Sequence, residues 1–291
     1  MAVSQFIQYF VSGITQGSVY ALVALGFTII YSVTGIINFA QGDFVMLGGM
    51  LAYLFLHTLK LPLPLACLFS VASVTLCGLL LERLAISSSR KASVVSLIII
   101  TIGASMFIRG IAGELWGKDP LPLPPFSGEK PIPVFGAAIQ PQTIWVLAIT
   151  LIFMMLFQLL LSRTLLGKAL KACAINRRAA GIVGINVRTM SLLSFAMAAA
   201  LGAIGGIVIA PLTLTSYDIG VMLGLKGFVA AAMGGLSNQA GAVAGGFALG
   251  ILEALGAGYI SSAYKDAIAL LVFFLFLLVR AKGFSSAEAE R

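Results

Sequence analysis

Charged residues are scarce in this sequence: only 10% of its 291 residues are Asp, Glu, Lys or Arg, whereas 60% are hydrophobic. Soluble domains carry about 25% charged residues, so a water-soluble core cannot enclose the apolar side chains of this chain. A helix that crosses a membrane needs about 20 predominantly apolar residues. Runs without any charge reach or approach this length at 1–42, 61–81, 92–108, 131–162, 189–217 and 227–252. We therefore predict an all-α, polytopic bundle of transmembrane helices that forms a single domain, 1–291.

Cysteine and histidine are also rare. Cys67, Cys77 and Cys173 form no CxxC pair, which argues against a disulfide framework or a metal site. His57 is the only histidine, so a histidine-based metal centre or proton relay is excluded. Gly167 and Lys168 are followed by Ala169, so they do not form a Walker A motif, and no HExxH or GxSxG motif is present. We expect no cofactor and no enzymatic activity in this chain, and any ATP must bind to another subunit.

The apolar runs predict nine helical segments. Eight of them are expected to span the membrane and lie near 6–31, 36–57, 62–82, 92–115, 142–162, 189–211, 240–262 and 264–280. The ninth, 219–235, is short, rich in glycine and contains Lys226, which predicts a broken or re-entrant piece. The stretch 34–49 has a similar pattern, so each half of the chain contains one such segment. This placement is typical of transporters that are built from internal repeats.

Basic residues in the short loops predict the orientation. The 163–188 loop contains six Lys or Arg and no acid, and the 82–91 turn contains Arg83, Arg90 and Lys91. Both should be cytoplasmic. Seven of the ten prolines lie in the 116–141 connection, which predicts an extended loop on the outer side. The N-terminus is then expected outside and the C-terminus inside, which favours nine crossings but leaves eight open.

Several ionisable residues lie within or beside the predicted spans, where charges usually face a cavity or each other. They are Asp43, Arg109, Glu114, Lys226, Glu253, Lys265 and Asp266. Glu253 stands out because the sequence around it is apolar and rich in glycine. Two alternatives are open for this residue: an ion or proton relay, or an interhelical pair with Arg109 or Lys226.

The basic loop contains a stretch, 166–180, that predicts one short helix ended by Gly181 and Gly184. Alanine dominates one side of this helix, while lysine and arginine flank it. Such a helix is suited to insertion into a groove with an acidic rim on another protein. From composition alone, a solvated positive-inside loop without a partner is the favoured interpretation.

Several segments resemble the branched-chain amino acid ABC transporter permeases of the high-affinity LivH type. The segments are GSVYALVALG at 17–26, GIINFAQGD at 35–43, KACA at 171–174, GIN at 184–186, KGF at 226–228, GG at 234–235, GA at 241–242, GG at 245–246, EA at 253–254 and YKD at 264–266. They occur in the order of the family and cover most of the chain outside 116–141. The family often has His at position 41 and Glu at position 43, where this sequence has Gln41 and Asp43.

The resemblance implies a bacterial inner-membrane importer subunit that works by alternating access. Its implied partners are a second, related permease subunit, expected as a heterodimer, two cytoplasmic ABC ATPases and a periplasmic substrate-binding protein. The residues expected to line or gate the translocation path are Asn38, Gln41, Asp43, Lys226 and Glu253. The residues expected in the ATPase-coupling loop are Gly167, Lys168, Lys171, Ala172, Asn176, Arg177, Arg178, Ala180 and Gly184. The competing hypothesis is a stand-alone, ion-coupled secondary transporter of a small polar solute.

Overall fold

The computed structural model describes residues 2–89, 92–128, 130–134 and 136–288. These residues form helices α1 (Ala2–Thr34), α2 (Gln41–Tyr53), α3 (Leu63–Leu80), α4 (Val94–Trp116), α5 (Pro141–Arg163), α6 (Leu165–Ile175), α7 (Arg177–Ile182), α8 (Val187–Thr213), α9 (Ile219–Gly234), α10 (Gln239–Tyr259) and α11 (Lys265–Glu288). Helices α2 and α3 each continue into a π-helical turn, at Leu54–Thr58 and Leu81–Ile86. A hairpin of β1 (Ile132–Val134) and β2 (Ala137–Ile139) lies in the proline-rich connection. The predicted all-α class is confirmed.

Six of the described helices are long and apolar enough to cross a membrane: α1, α3 with its π-helical turn, α4, α5, α8 and α10. Helix α9 is apolar but shorter. A multi-pass membrane protein is therefore confirmed, whereas the total of eight or nine crossings stays a prediction. Arg90 and Lys91, which entered the orientation argument, lie outside the described residues, as do the last three residues and the side chains of 2, 3, 277 and 279–288.

The core of the bundle is formed by α1, α8 and α2. In the most apolar part of α1, 83% of the residues are buried, against 17% in α4. Helix α2 is almost wholly buried, including the polar residues of its first turn. Helices α3, α4 and α5 expose many apolar side chains, as expected for helices that border lipid.

Glycine allows α1 and α10 to cross at very short range. A Cβ atom at Gly17 would lie 2.9 Å from Phe247 Cα, and one at Gly246 would lie 2.6 Å from Ala21 Cα. Small residues at such crossings let the backbones of membrane helices approach closely. The close crossing brings side chains of α1 and α10 into direct contact, among them Tyr20 and Glu253.

The predicted break within 219–235 is wrong, because α9 is a continuous helix, whereas its re-entrant alternative stays a prediction. Its glycines serve helix contacts instead. A Cβ atom at Gly224 would lie 3.0 Å from Gly42 Cα, and one at Gly227 would lie 2.6 Å from Val23 Cβ. Glycine within a helix signals either a break or a close neighbour, and here the neighbours are α2 and α1.

The interruption expected in the first half is present. Helix α1 ends at Thr34, and Gly35 adopts a φ of +73°, a conformation that favours glycine at a helix C-terminus. The chain is then non-helical until α2 begins at Gln41. This segment, 35–40, is called the break below.

Candidate functional site

Five residues from four helices form a mostly buried cluster, called the charge cluster: Tyr20, Lys226, Glu253, Lys265 and Asp266. Lys226 Nζ lies 2.9 Å from Glu253 Oε1 and 2.6 Å from Asp266 Oδ1. Lys265 Nζ lies 3.2 Å from the same oxygen of Glu253. The Tyr20 hydroxyl lies 3.1 and 3.0 Å from the two carboxylate oxygens of Glu253, to which it donates. The expected interhelical pair of Glu253 is therefore present, with Lys226 and not with Arg109.

The charge cluster is electrically balanced, since it holds two ammonium groups and two carboxylates. The side chains of Lys226 and Glu253 are only 7% and 1% exposed, so neither charge can be left without its partner at low cost. The Lys226 ammonium also lies 5.6 Å from the centre of the Tyr20 ring. Sequence reasoning missed Tyr20 because a tyrosine in a long apolar run usually signals packing.

Two fully buried amides lie where the break meets α2. Gln41 Nε2 donates to the Ala198 carbonyl of α8 at 2.9 Å, and Asn38 Oδ1 accepts from the Ala40 amide at 3.2 Å. Gln41 Oε1 and Asn38 Nδ2 have no hydrogen-bond partner among the described residues. Buried polar atoms are normally satisfied, so these two can accept and donate to water or a solute.

Asp43 lies in the first turn of α2 and is 1% exposed. Arg109 of α4 approaches it, with Nε 3.5 Å from Asp43 Oδ1, and this pair is an ion pair without a hydrogen bond between the two atoms. The helix N-terminus adds a partial positive charge that favours the carboxylate. The expectation that Arg109 could serve Glu253 is therefore wrong, since its partner is on α2.

The five residues expected on the path do not share one site. Lys226 and Glu253 are in direct contact, while Asp43 faces α4 and Gln41 faces α8. Gln41 and Asp43 are two positions apart on one helix, which turns their side chains about 200° away from each other. The structure thus describes two polar regions, the charge cluster and the start of α2.

The basic loop contains two helices and not the single helix expected. Helix α6 ends at Ile175, Asn176 is extended, and its Oδ1 accepts from the amides of Arg178 and Ala179 at 3.1 and 3.0 Å. Asparagine at this position starts a new helix, because its side chain replaces the missing backbone acceptor. Gly167 packs closely on α5, where a Cβ atom would lie 2.7 Å from the carbonyl carbon of Leu161.

The outer surface of α6 and α7 combines basic and apolar side chains. Leu165, Ile175, Ile182 and Val183 are 82%, 87%, 86% and 76% exposed. Lys168, Lys171, Arg178 and Gly184 are also exposed, whereas Ala172 is half-buried and Ala180 is buried. Ala172 and Ala180 thus pack at least partly within this chain, whereas Ala174 and Ala179 are exposed, and the large aliphatic residues that sequence reasoning overlooked also face outward.

Arg177 connects this loop to the core. Its Nη1 atom donates to the Thr34 carbonyl at 3.3 Å, at the C-terminal end of α1 and immediately before the break. A helix C-terminus has carbonyls without intrahelical partners and favours a cation. Burial raises the pKa of the neighbouring Cys173 thiol, while the Arg177 charge partly opposes this shift. The thiol therefore stays protonated at neutral pH and is unsuited to act as a nucleophile.

Comparison with known proteins gives one consistent family. The sequence model of the branched-chain amino acid transport system permease component matches residues 9–277. The high-affinity branched-chain amino acid transport system permease protein LivH of Escherichia coli K12 is 31% identical over 292 residues, covering 96% of this chain and 94% of that protein. The protein BraD of Pseudomonas aeruginosa, which has the same description, is also 31% identical, over 300 residues, with 96% and 95% covered.

One solved structure has a similar fold. It is PsaBC from Streptococcus pneumoniae in complex with Fab, and the comparison has a TM-score of 0.53, covers 95% of this chain and 94% of that chain, and gives 12% identity. At this identity the likeness concerns the fold alone. It supports the helical arrangement in which the charge cluster and the break are found.

Proposed function

The chain belongs to the family of branched-chain amino acid transport system permease components, and from this membership we propose that it is the membrane subunit of an ATP-driven importer of branched-chain amino acids. The observation that carries the proposal is the match over 96% of the chain to the permeases named LivH and BraD. These relatives are transport permeases and not enzymes. Alternating access is the mechanism that we assign to this subunit.

The proposed partners are a second, related permease, two cytoplasmic ATPases and a periplasmic binding protein. ATP binds to the ATPases, and this chain holds no cofactor. The outer surface of α6 and α7 supports ATPase docking, because exposed aliphatic side chains surrounded by Lys and Arg suit an apolar cleft with an acidic rim. In this proposal 163–188 is the coupling loop.

The proposed location is a bacterial inner membrane, with the N-terminus and 116–141 in the periplasm and the coupling loop and C-terminus in the cytoplasm. The lysine and arginine residues of 163–188 support this orientation. An odd number of crossings follows from it. The extended backbone and hairpin of 116–141 are consistent with an outer loop.

The translocation path is proposed to involve Asn38, Gln41, Asp43, Lys226 and Glu253. The unpartnered buried atoms of Asn38 and Gln41 support a path beside the break. The direct contact of Glu253 with Lys226 argues against an ion relay, because the Lys226 ammonium already supplies the counter-charge that a coupling cation would provide. The ion-coupled alternative is therefore not favoured.

Reconstitution in proteoliposomes tests the proposal. Tagged protein extracted in mild detergent should recover a second permease and ATPases, and ATP with the binding protein should drive vanadate-sensitive leucine uptake. Ionophores should leave this uptake unchanged. Uptake that needs no ATP and disappears with ionophores would contradict the proposal and favour the ion-coupled carrier.

A further inference from the structure

A recess of about 310 Å³ lies between α1, α10 and the start of α11, beside the charge cluster. Its polar lining residues are Tyr9, Ser12, Gln16, Glu253, Ser262 and Lys265. The Tyr9 ring and two small residues of α10, Ala254 and Ala257, form its apolar wall. Ligand sites typically have a volume of about 300 to 1,000 Å³ with a few convergent polar groups, so the recess is large enough for a small solute.

The polar lining is unsuited to lipid. Ser12 is exposed and Gln16 is partly exposed, although both belong to the membrane-spanning part of α1, and the Lys265 side chain is 39% exposed. Hydrocarbon cannot satisfy these hydrogen-bonding groups, and a charge facing it is expensive. This side of the bundle therefore faces water, a polar ligand or another protein subunit and not lipid.

Glu253 has free acceptor capacity beside the recess. Its Oε1 atom contacts Tyr20, Lys226 and Lys265, whereas Oε2 accepts only from the Tyr20 hydroxyl among the described residues. A carboxylate oxygen can accept about two hydrogen bonds, so Oε2 has capacity for one further donor. Lys265 has three N–H donors and one contact in the cluster, so it can bind a further acceptor.

The balance of charge selects the class of ligand. The charge cluster is neutral, so a lone cation or a lone anion bound against the buried Glu253 would add an uncompensated charge there. A zwitterion would not. Its ammonium matches the open acceptor on Glu253, its carboxylate matches Lys265, and its aliphatic side chain matches the wall formed by Tyr9 and Ala257.

We propose that this recess is a binding site for an α-amino acid zwitterion, with Glu253 binding the α-ammonium and Lys265 the α-carboxylate. The site rests on the proposed function, since it places the transported amino acid at a defined position on this subunit. Ser12 lies at its open side and provides a position at which occupancy can be measured.

Ligand protection of a single cysteine tests the site. The Ser12→Cys variant, in a background in which Cys67, Cys77 and Cys173 are alanine, is purified with its partner subunits and without binding protein. A small methanethiosulfonate reagent then labels the thiol with and without leucine. We expect leucine to slow labelling about tenfold at a concentration roughly ten times its Kd. The control, Lys118→Cys, is exposed outside the recess, and its labelling should not change.

Two leucine analogues and one variant complete the test. Isopentylamine lacks the carboxylate and 4-methylpentanoate lacks the ammonium, so neither should protect at the same concentration. Lys265→Gln in the Ser12→Cys background should raise the half-protecting concentration of leucine by at least about tenfold, because a hydrogen bond between charged groups is lost. Protection by one analogue as strong as that by leucine would overturn the zwitterion site, and so would absence of protection by leucine. ATP-driven leucine uptake by the unmodified complex is measured in parallel, so that the proposed function succeeds or fails separately.

Discussion

At the scale of single residues, we expect the stability of the protein to depend on keeping the ammonium and carboxylate groups of the charge cluster paired, and not on any one of them. Glu253→Gln removes one carboxylate and leaves Lys226 and Lys265 with only Asp266. Breaking a buried pair from one side typically costs about 3 to 5 kcal/mol. We expect a large fall in the unfolding temperature of the detergent-solubilised variant, measured with a thiol-independent fluorescence assay.

The matched double variant separates charge balance from a specific need for Glu253. Lys226→Met combined with Glu253→Gln restores neutrality, because Lys265 and Asp266 then remain as one cation and one anion. It should be more stable than Glu253→Gln alone. If the double variant unfolds as early as the single variant, the balance argument is wrong and the carboxylate itself is required.

At the scale of helices, the contact of α2 with α9 predicts opposite outcomes for two glycines. A Cβ atom at Gly42 would lie 2.7 Å from Gly224 Cα, while one at Gly103 of α4 has no heavy atom within 4 Å. Gly42→Ala should therefore force α2 and α9 apart and abolish leucine uptake. Gly103→Ala should keep uptake and stabilise α4 by up to about 1 kcal/mol, since alanine is the better helix former. Uptake assays and thermal unfolding of both variants test this, and normal uptake by Gly42→Ala would contradict the described contact.

The two neighbouring arginines of α7 should affect different steps. Arg177 donates to the end of α1, whereas Arg178 is exposed on the surface proposed for the ATPase. Arg177→Gln should keep the ATPases bound and hydrolysing ATP while less leucine is imported per ATP. Arg178→Glu should instead reduce ATPase recovery in pull-downs, because it reverses a surface charge. Identical effects of the two variants on recovery and on leucine imported per ATP would contradict the separate roles.

The helices differ in how well they could be predicted from the sequence. The long helices were predictable because a run of apolar residues of membrane length is a local property. The continuity of α9 was not, because Gly220 and Gly224 could signal a break until α2 was found against them. Ion pairs such as Asp43 with Arg109 depend on which helices are neighbours, and one sequence does not specify this.

At the scale of the whole molecule, the charge cluster and the start of α2 are separate polar regions, but helix α9 is in contact with both. The start of α2 packs against α9, and α9 carries Lys226 of the charge cluster. Arg177 joins the coupling loop to α1, which carries Tyr20 of the same cluster. Helix α1 therefore contacts both the coupling loop and the charge cluster, so a displacement of the loop can reach the cluster through this helix.

The proposed orientation gives the last prediction. Lys118 lies in the 116–141 connection and Lys171 in α6, and α5 with 23 residues separates them. At 1.5 Å per residue this helix is about 35 Å long, which is enough to cross a hydrocarbon core of about 30 Å once. Both variants are made in the cysteine-free background, and the reagent is a maleimide that crosses the outer membrane of intact cells but not the inner membrane. It should label Lys118→Cys in intact cells. It should label Lys171→Cys only when the inner membrane is opened. The reverse pattern would invert the orientation, and labelling of both positions in intact cells would mean that α5 does not cross.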